Sequence, residues 1–286
     1  MSASTKGAGP GQWRFATYNI LTGGLDADGG ERFDALLRVL TGLRPDLLVL
    51  NECNGFDTSG GARLQRLAHE LGMTARLATA ASGYHVALFF RRAQLRSWQA
   101  FDAGFCHAAI RAEFDIAGGS VHVVGAHLDP FSAESRLQEV RLLLASMAER
   151  SPVVLMGDLN AISPADAERH DPATWPERYR DRHAAHGGAP DTRAIAALEA
   201  AGLVDLAAAA AVGSPAATRP TRLYHKRDVP RQRLDYIFAS SDLAGLTSRV
   251  RVVDDGHAQL ASDHLPVFAD IALDARQPPG WHVASA

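Results

Sequence analysis

Six short apolar runs constrain this chain more than any other feature: 47–50, 86–90, 121–124, 153–156, 236–238 and 267–271. Each is shorter than an ordinary helix and is flanked by turn formers or charges, so each predicts a buried strand. Helix-period segments separate them. Phe33, Leu36, Leu37, Leu40 and Leu43 keep the 3.6-residue spacing, with Gly42 and Pro45 as stop signals. Leu64, Leu67, Ala68 and Leu71 run up to Gly72, and Ile195, Leu198 and Ala201 run up to Gly202. Leu137, Val140, Leu144 and Met147 follow Ser132, a candidate N-cap. Strands and helices alternate without a linker or an internal repeat, which predicts one α/β domain over residues 13–274. Residues 1–12 and 275–286, rich in Ser, Gly and Pro or lacking a core pattern, read as disordered tails.

The strand-like runs begin or end on unusual polar groups. Asn19 follows FATY, Glu52 follows LLVLN, His127 follows VVGA, and Asp158 and Asn160 follow VVLMG. Asp235 opens the run of RLDYIF, and Asp263 and His264 open that of SDHLPV. Singly, each has a bland reading as a turn former, a surface charge or a satisfied histidine. Together they do not, because Glu and His are poor turn residues and loops at a sheet edge are where a rigid scaffold presents catalytic groups. If the chain stays extended after VVLM, Asp158 and Asn160 point to one side and address one object.

In that order, TYNI (17–20), VLNE (49–52), GAHLDP (125–130), GDLNA (157–161), RLDYIF (233–238) and SDHLPV (262–267) resemble the motifs of the endonuclease/exonuclease/phosphatase superfamily, relatives of DNase I. The resemblance implies a four-layer α/β sandwich, two mixed β-sheets packed face to face with helices outside. It also implies a metal-dependent phosphodiesterase or nuclease-like hydrolase. Glu52 would be the main metal carboxylate, with Asn19 and Asp263 close by, directly or through water; oxygen ligands of this kind suit Mg²⁺ or Mn²⁺. His127 and His264 would flank the scissile phosphate, Asp235 would fix the His264 tautomer, and Asp158 with Asn160 would orient or deprotonate the attacking water. The base stays open between Asp158 and His264.

Three departures narrow the expectation. Nucleases of this group often carry an acidic residue before the strand matching 86–90, to orient the first histidine. Here the stretch is SGYHVALFF, so His127 is expected to lack a carboxylate partner. The apurinic-endonuclease pattern has Asp where this chain has Leu21, and the inositol 5-phosphatase branch has a WCDR-like stretch where this chain has RLDYIF. Residues 162–191, with His170, Trp175, Tyr179, His183 and His186, are expected to overhang the site and to offer Trp175 or Tyr179 to a base. His183 and His186 have a metal-like spacing but no third strong ligand, so a solvated loop is the favoured reading there. Arg136 reads as a phosphate contact or a surface charge.

Charge bounds the partners. The net charge is −3, and Lys6 and Lys226 are the only lysines. That argues against tight binding of long duplex DNA by phosphate neutralisation. The expected substrate is therefore a small phosphodiester or a nucleic-acid end; the alternatives are a phosphomonoesterase and a silent binding module on the same fold. No apolar stretch approaches the roughly 20 residues of a membrane span and no apolar leader opens the chain, so no membrane partner, a monomeric state and a cytoplasmic location are expected.

Overall fold

The computed structural model describes residues 11–26, 32–117, 119–147, 152–185, 187–210, 215–223 and 228–273. Of the expected tails, residues 1–10 and 275–286 lie outside the described residues, whereas Gln12 already opens the first strand.

In chain order the elements are β1 (Gln12–Asn19), α1 (Phe33–Leu43), β2 (Leu47–Asn51), α2 (Ala62–Leu71), β3 (Thr74–Ala78), β4 (Val86–Phe90), β5 (Gln94–Phe101) and β6 (Ala109–Ile116). They continue as β7 (Gly119–His127), α3 (Ala133–Met147), β8 (Val153–Asp158), α4 (Glu177–His183), α5 (Arg193–Ala200), β9 (Leu203–Asp205) and α6 (Leu206–Ala210). The last are β10 (Asp235–Ser240), α7 (Ser241–Ala244), β11 (Thr247–Val252), α8 (Ala258–Ala261) and β12 (Val267–Ala272). All six apolar runs are strands and all four periodic segments are helices. Ser132 is also the cap it resembles, its Oγ accepting from the Ser135 amide at 3.2 Å.

The strands form two six-stranded sheets, ordered β11-β12-β1-β2-β4-β3 and β5-β6-β7-β8-β10-β9. Each sheet has one parallel pair, β1 with β2 and β7 with β8, joined by the crossover helices α1 and α3; every other pairing is antiparallel. A parallel pair requires such a crossover, because its strands start at the same edge. Phe15, Val49, Leu88, Ile110, Val123, Met156, Ile237 and Val267 fill the space between the sheets. Leu36, Leu40, Leu67 and Ala261 cover the outer face of the first sheet, and Val140, Leu143, Ile195 and Leu198 that of the second. The expected order of layers, helix, sheet, sheet, helix, is the one observed.

This topology explains the polar punctuation. The C-terminal ends of the four parallel-paired strands lie at one edge of the sandwich, and β10 and β12, antiparallel to their neighbours, start there. Residues that end a run in β1, β2, β7 and β8 therefore meet residues that begin one in β10 and β12.

Candidate active site

Register sets the site before any side chain is considered. His127 pairs with Asp158 across β7 and β8, and Asp158 pairs with Asp235 across β8 and β10. Directly opposed residues share a face, so three functional groups stand in a row across three strands. His264, just before β12 of the other sheet, closes the row: its Nδ1 lies 2.7 Å from Asp235 Oδ2, and its Nε2 lies 3.8 Å from Asp158 Oδ2. Thr218 Oγ accepts from the amides of Leu234 and Asp235, at 3.0 and 3.3 Å, and holds the start of β10.

Across this row lies the acidic side of the site. Asn19 donates through Nδ2 to Glu52 Oε1 at 3.0 Å and to Asp158 Oδ2 at 2.9 Å, while its Oδ1 accepts from the Leu21 amide at 3.0 Å. The Leu21 amide thus takes one lone pair of the amide oxygen and turns the NH₂ toward the carboxylates, so Asn19 spaces them. Glu52 Oε2 accepts from the Thr22 amide at 2.9 Å. Asp263 is buried, and its Oδ1 has no hydrogen-bond partner among the described residues.

The local backbone is bent to achieve this. Glu52 has φ +59° and Asn160 φ +47°, left-handed values that cost a residue with a Cβ of order 1 kcal/mol or more and gather at functional sites. The bend at Asn160 corrects one expectation: β8 ends at Asp158, so the two residues are not alternate positions of an extended strand. Asn160 curls back instead, its amide donating to Asp158 Oδ1 at 3.0 Å and its Nδ2 to Leu128 O at 3.0 Å. At Gly23, beside Glu52, a Cβ would sit 2.2 Å from Asn54 O, so only glycine lets this loop close on the Glu52 carbonyl.

Electrostatics follow from burial. Burial raises the Glu52 carboxyl, and the Asp263 charge raises it further against the Thr22 and Asn19 hydrogen bonds. Burial pushes Asp158 up to about 7, with the His264 charge opposing. For His264, burial disfavours the imidazolium, but Asp235, Asp158 and Asp263 outweigh it and hold the ring up at about 10. Burial keeps His127 well below the usual imidazole range, helped by the nearby His107 and His264. Buried carboxylates destabilising one another, with an orphaned Asp263 oxygen among them, are what a hard divalent cation would relieve, so the residues fit such an ion. Asp158, Asp235 and His264 also have ligand atoms within 4.8 Å of one another. The His264 Nδ1 is already committed to Asp235 there, and imidazole suits softer metals, so the oxygens of Glu52 and Asp263 fit Mg²⁺ or Mn²⁺ better.

As expected from the sequence, His127 has no carboxylate on Nδ1, which has no hydrogen-bond partner among the described residues. His107 stacks on it, ring centroids 4.2 Å apart, and the His107 Nδ1 lies 2.9 Å from Ser82 Oγ.

Other expectations need correction. Arg136 is neither exposed nor free: it is 1% exposed and donates to the carbonyls of Asp129, at 2.9 Å, and Arg182. Trp175 and Tyr179 are buried with Ile162 and Val229 in a small core of their own, so they are not stacking platforms free to receive a base. His183 is buried rather than solvated; His186 lies outside the described residues.

Two residues passed over in the sequence shape the site. Asn51 joins the sheets, its Oδ1 accepting from the Asp158 amide at 3.0 Å and its Nδ2 donating to Ala126 O at 2.9 Å. Arg32 donates to the carbonyls of Leu21, at 2.8 Å, and Ala261, tying the loop after β1 to the one that carries Asp263. Asn51 had a weak signal, a second amide beside Glu52 at the end of an apolar run; Arg32 had none.

A two-sheet α/β sandwich with a buried His–Asp pair facing carboxylates at one edge defines the nuclease and phosphoesterase class of hydrolases. The chain belongs to the Endonuclease/Exonuclease/phosphatase family, whose model matches residues 16–264. Solved structures share the fold. A 3'-5' exonuclease (NExo) from Neisseria meningitidis aligns over 90% of this chain and 99% of its own, with a TM-score of 0.67 at 21% identity. An AP endonuclease from Archaeoglobus fulgidus covers 90% and 98%, with 0.66 at 19%. TDP2 of D. rerio, complexed with a single strand DNA product, covers 91% and 98%, with 0.64 at 18%. No curated protein sequence matches significantly.

Proposed function

We propose that this protein is a divalent-metal-dependent phosphodiesterase that hydrolyses a small diester or a nucleic-acid end by in-line attack of water. The observation that carries the reading is the row His127, Asp158, Asp235 and His264 set against Glu52 and Asp263, with carboxylate oxygens left unpaired in a buried site. Glu52 and Asp263 would hold the Mg²⁺ or Mn²⁺, which when bound neutralises charge developing on the phosphoryl oxygens.

The remaining chemistry belongs to the protein. Asp235 holds the His264 ring by Nδ1 and leaves Nε2 facing the site, so His264, flanked by carboxylates, serves as the charged donor to the phosphate. Asp158 then takes the proton of the attacking water as the water oxygen bonds to phosphorus and the bond to the leaving oxygen breaks, the leaving group departing as an anion that takes its proton from solvent. Asn19 and the Asn160 amide, which donate to Asp158, fix its orientation. His127, neutral and stacked on His107, contacts the phosphate from the opposite side of Asp158, 3.7 Å from its Oδ2. The D. rerio TDP2 complex with single-stranded DNA supports a nucleic-acid end as substrate, and Leu21 at the departed position disfavours a dedicated abasic-site enzyme.

The test is hydrolysis with Mg²⁺ or Mn²⁺ of bis(p-nitrophenyl) phosphate, p-nitrophenyl phosphate, single- and double-stranded DNA, and RNA. Turnover of diesters, abolished by EDTA, is expected. Equal turnover of all of them in EDTA, or of the monoester alone, would overturn the reading.

A further inference from the structure

Behind the site, Arg219 and Gln232 form an isolated antiparallel bridge, and the Thr218 amide also donates to Gln232 O. Neighbouring residues on an extended segment face opposite ways. Arg219 reaches toward the site, its guanidinium 3.7 Å from Asp263 Oδ2. Arg231 and Arg233, on either side of Gln232, line a cavity of about 360 Å³ together with Arg169, His170 and Ala217.

The arginines of this cavity differ in how they are paired. Arg233, 3% exposed, donates to Asp166 at 2.7 Å and to Asp205 at 2.6 Å and packs over the Tyr236 ring, and its buried Nη2 has no hydrogen-bond partner among the described residues. Arg169 shares the same Asp166. Arg231 is exposed and makes no hydrogen bond or ion pair among the described residues. Arg169 and Arg233 are thus held by Asp166 and Asp205, with the Glu199 charge also acting on Arg233, while Arg231 projects into the cavity. Through Arg169, His170 and Arg231 the cavity opens into a second, of about 680 Å³, with Trp175 in its wall and the His170 ring edge-on to it at 5.5 Å. The acids there are occupied, Asp228 by Arg178 at 2.8 Å and Asp171 in capping the turn at Ala173.

We propose that this groove is a second binding site, which takes a phosphate with a flat ring attached, as in a nucleotide. Resting on the phosphodiesterase reading, the proposal makes the occupant a part of the substrate away from the scissile bond. Arg231 takes the phosphate oxygens, backed by the buried guanidinium of Arg233, and the ring lies toward His170. Ala217 of the groove wall is two residues, at most about 7 Å of chain, from Arg219 at Asp263. The groove concentrates arginine in a protein of net charge −3, so it suits a few phosphates and not a long duplex.

Two ligand sources share this chemistry, a free nucleotide and the neighbouring nucleotide of a single strand. Binding is measured by fluorescence anisotropy in EDTA with a labelled oligothymidylate of about eight nucleotides, with thymidine 5′-monophosphate and inorganic phosphate as competitors. Hydrolysis of bis(p-nitrophenyl) phosphate with Mg²⁺ is followed in parallel. Arg231→Glu is expected to weaken oligothymidylate binding about tenfold and lower the salt slope by about one, with diester hydrolysis unchanged. Competition by the mononucleotide assigns the groove to a single nucleotide; its failure, with the Arg231→Glu loss intact, assigns it to a strand. Unchanged affinity in both Arg231→Glu and Arg231→Ala, or no oligothymidylate binding by the wild type, overturns the proposal. A protein that binds but does not hydrolyse the diester keeps the groove and loses the phosphodiesterase reading, so the two fail separately.

Discussion

Glu52 sits in a position that favours its own neutralisation, because burial and the Asp263 charge both raise its carboxyl. Glu52→Gln keeps the shape and the Thr22 contact but removes the charge. It is expected to weaken Mg²⁺ affinity at least tenfold while leaving stability without metal equal or higher, as calorimetric titration and urea unfolding would show. His264 and Asp235 act as one unit at 2.7 Å, so their losses should not multiply. His264→Ala should lower kcat by two or more orders of magnitude, and Asp235→Asn added to it should cost little more; multiplying losses in the double variant would argue against the pair. His107 gives a pH dependence that is independent of metal. Burial lowers its ring to about 4, so the folded state refuses a proton that the unfolded chain accepts near 6.5. Its contribution is therefore complete above pH 6.5 and is lost as pH falls through 6.5 toward 4, by up to about 3 kcal/mol. Urea unfolding of His107→Phe at pH 7.5 and 5 should show a shallower decline than the wild type.

Among the elements, β2 and β8 matter most, because the site is assembled from both sheets and Asn51 is a polar strut between them. Fully buried, it satisfies the Asp158 amide and the Ala126 carbonyl at once. Asn51→Leu strands both groups, at about 1–3 kcal/mol each, and frees the end of β8 to drift from Glu52. The expected result is a drop in unfolding midpoint together with a fall in kcat on bis(p-nitrophenyl) phosphate. Retained activity at a lowered Tm would make Asn51 purely structural. Gly157 has a related constraint: a Cβ there would lie 1.9 Å from Ala126 O, inside the β7–β8 pairing. A side chain at that position forces apart the two strands that carry His127 and Asp158.

For the whole molecule, a net charge of −3 spread over a surface with few lysines predicts weak, shallow electrostatic attraction to long DNA. Nicking of closed circular plasmid should be inefficient relative to the hydrolysis of end-labelled single-stranded oligonucleotides and should change little between low and physiological salt. Efficient nicking with a steep salt dependence would contradict this.

The alternation of apolar runs with helix-period segments was enough to read the α/β class, the buried strands and the residues that gather at one edge. It sufficed because burial on both faces imposes continuous apolar runs, and a lone Glu, Asp or His at the end of one has no packing reason to be there. Edge strands were not legible. β5, largely exposed, and β3 and β11, each partly covered, carry mixed sequences because a half-solvated strand has no apolar run to show. Single-residue reasoning also failed where the partner is far along the chain. Nothing near Asn51 or Arg32 announces the carbonyls and amides they satisfy 75 to 229 residues away. Nor could it say that Trp175 and Tyr179 would be used up in a core, that Asn19 would turn its NH₂ to two carboxylates, or that Arg231 and Arg233 would share a groove. Local sequence determines which residues are buried in strands and which polar groups cap them. Only the tertiary structure decides which oxygen and nitrogen of those groups are consumed by the backbone and which are left for chemistry, because hydrogen bonds are allotted between segments that meet only after the sheets have packed.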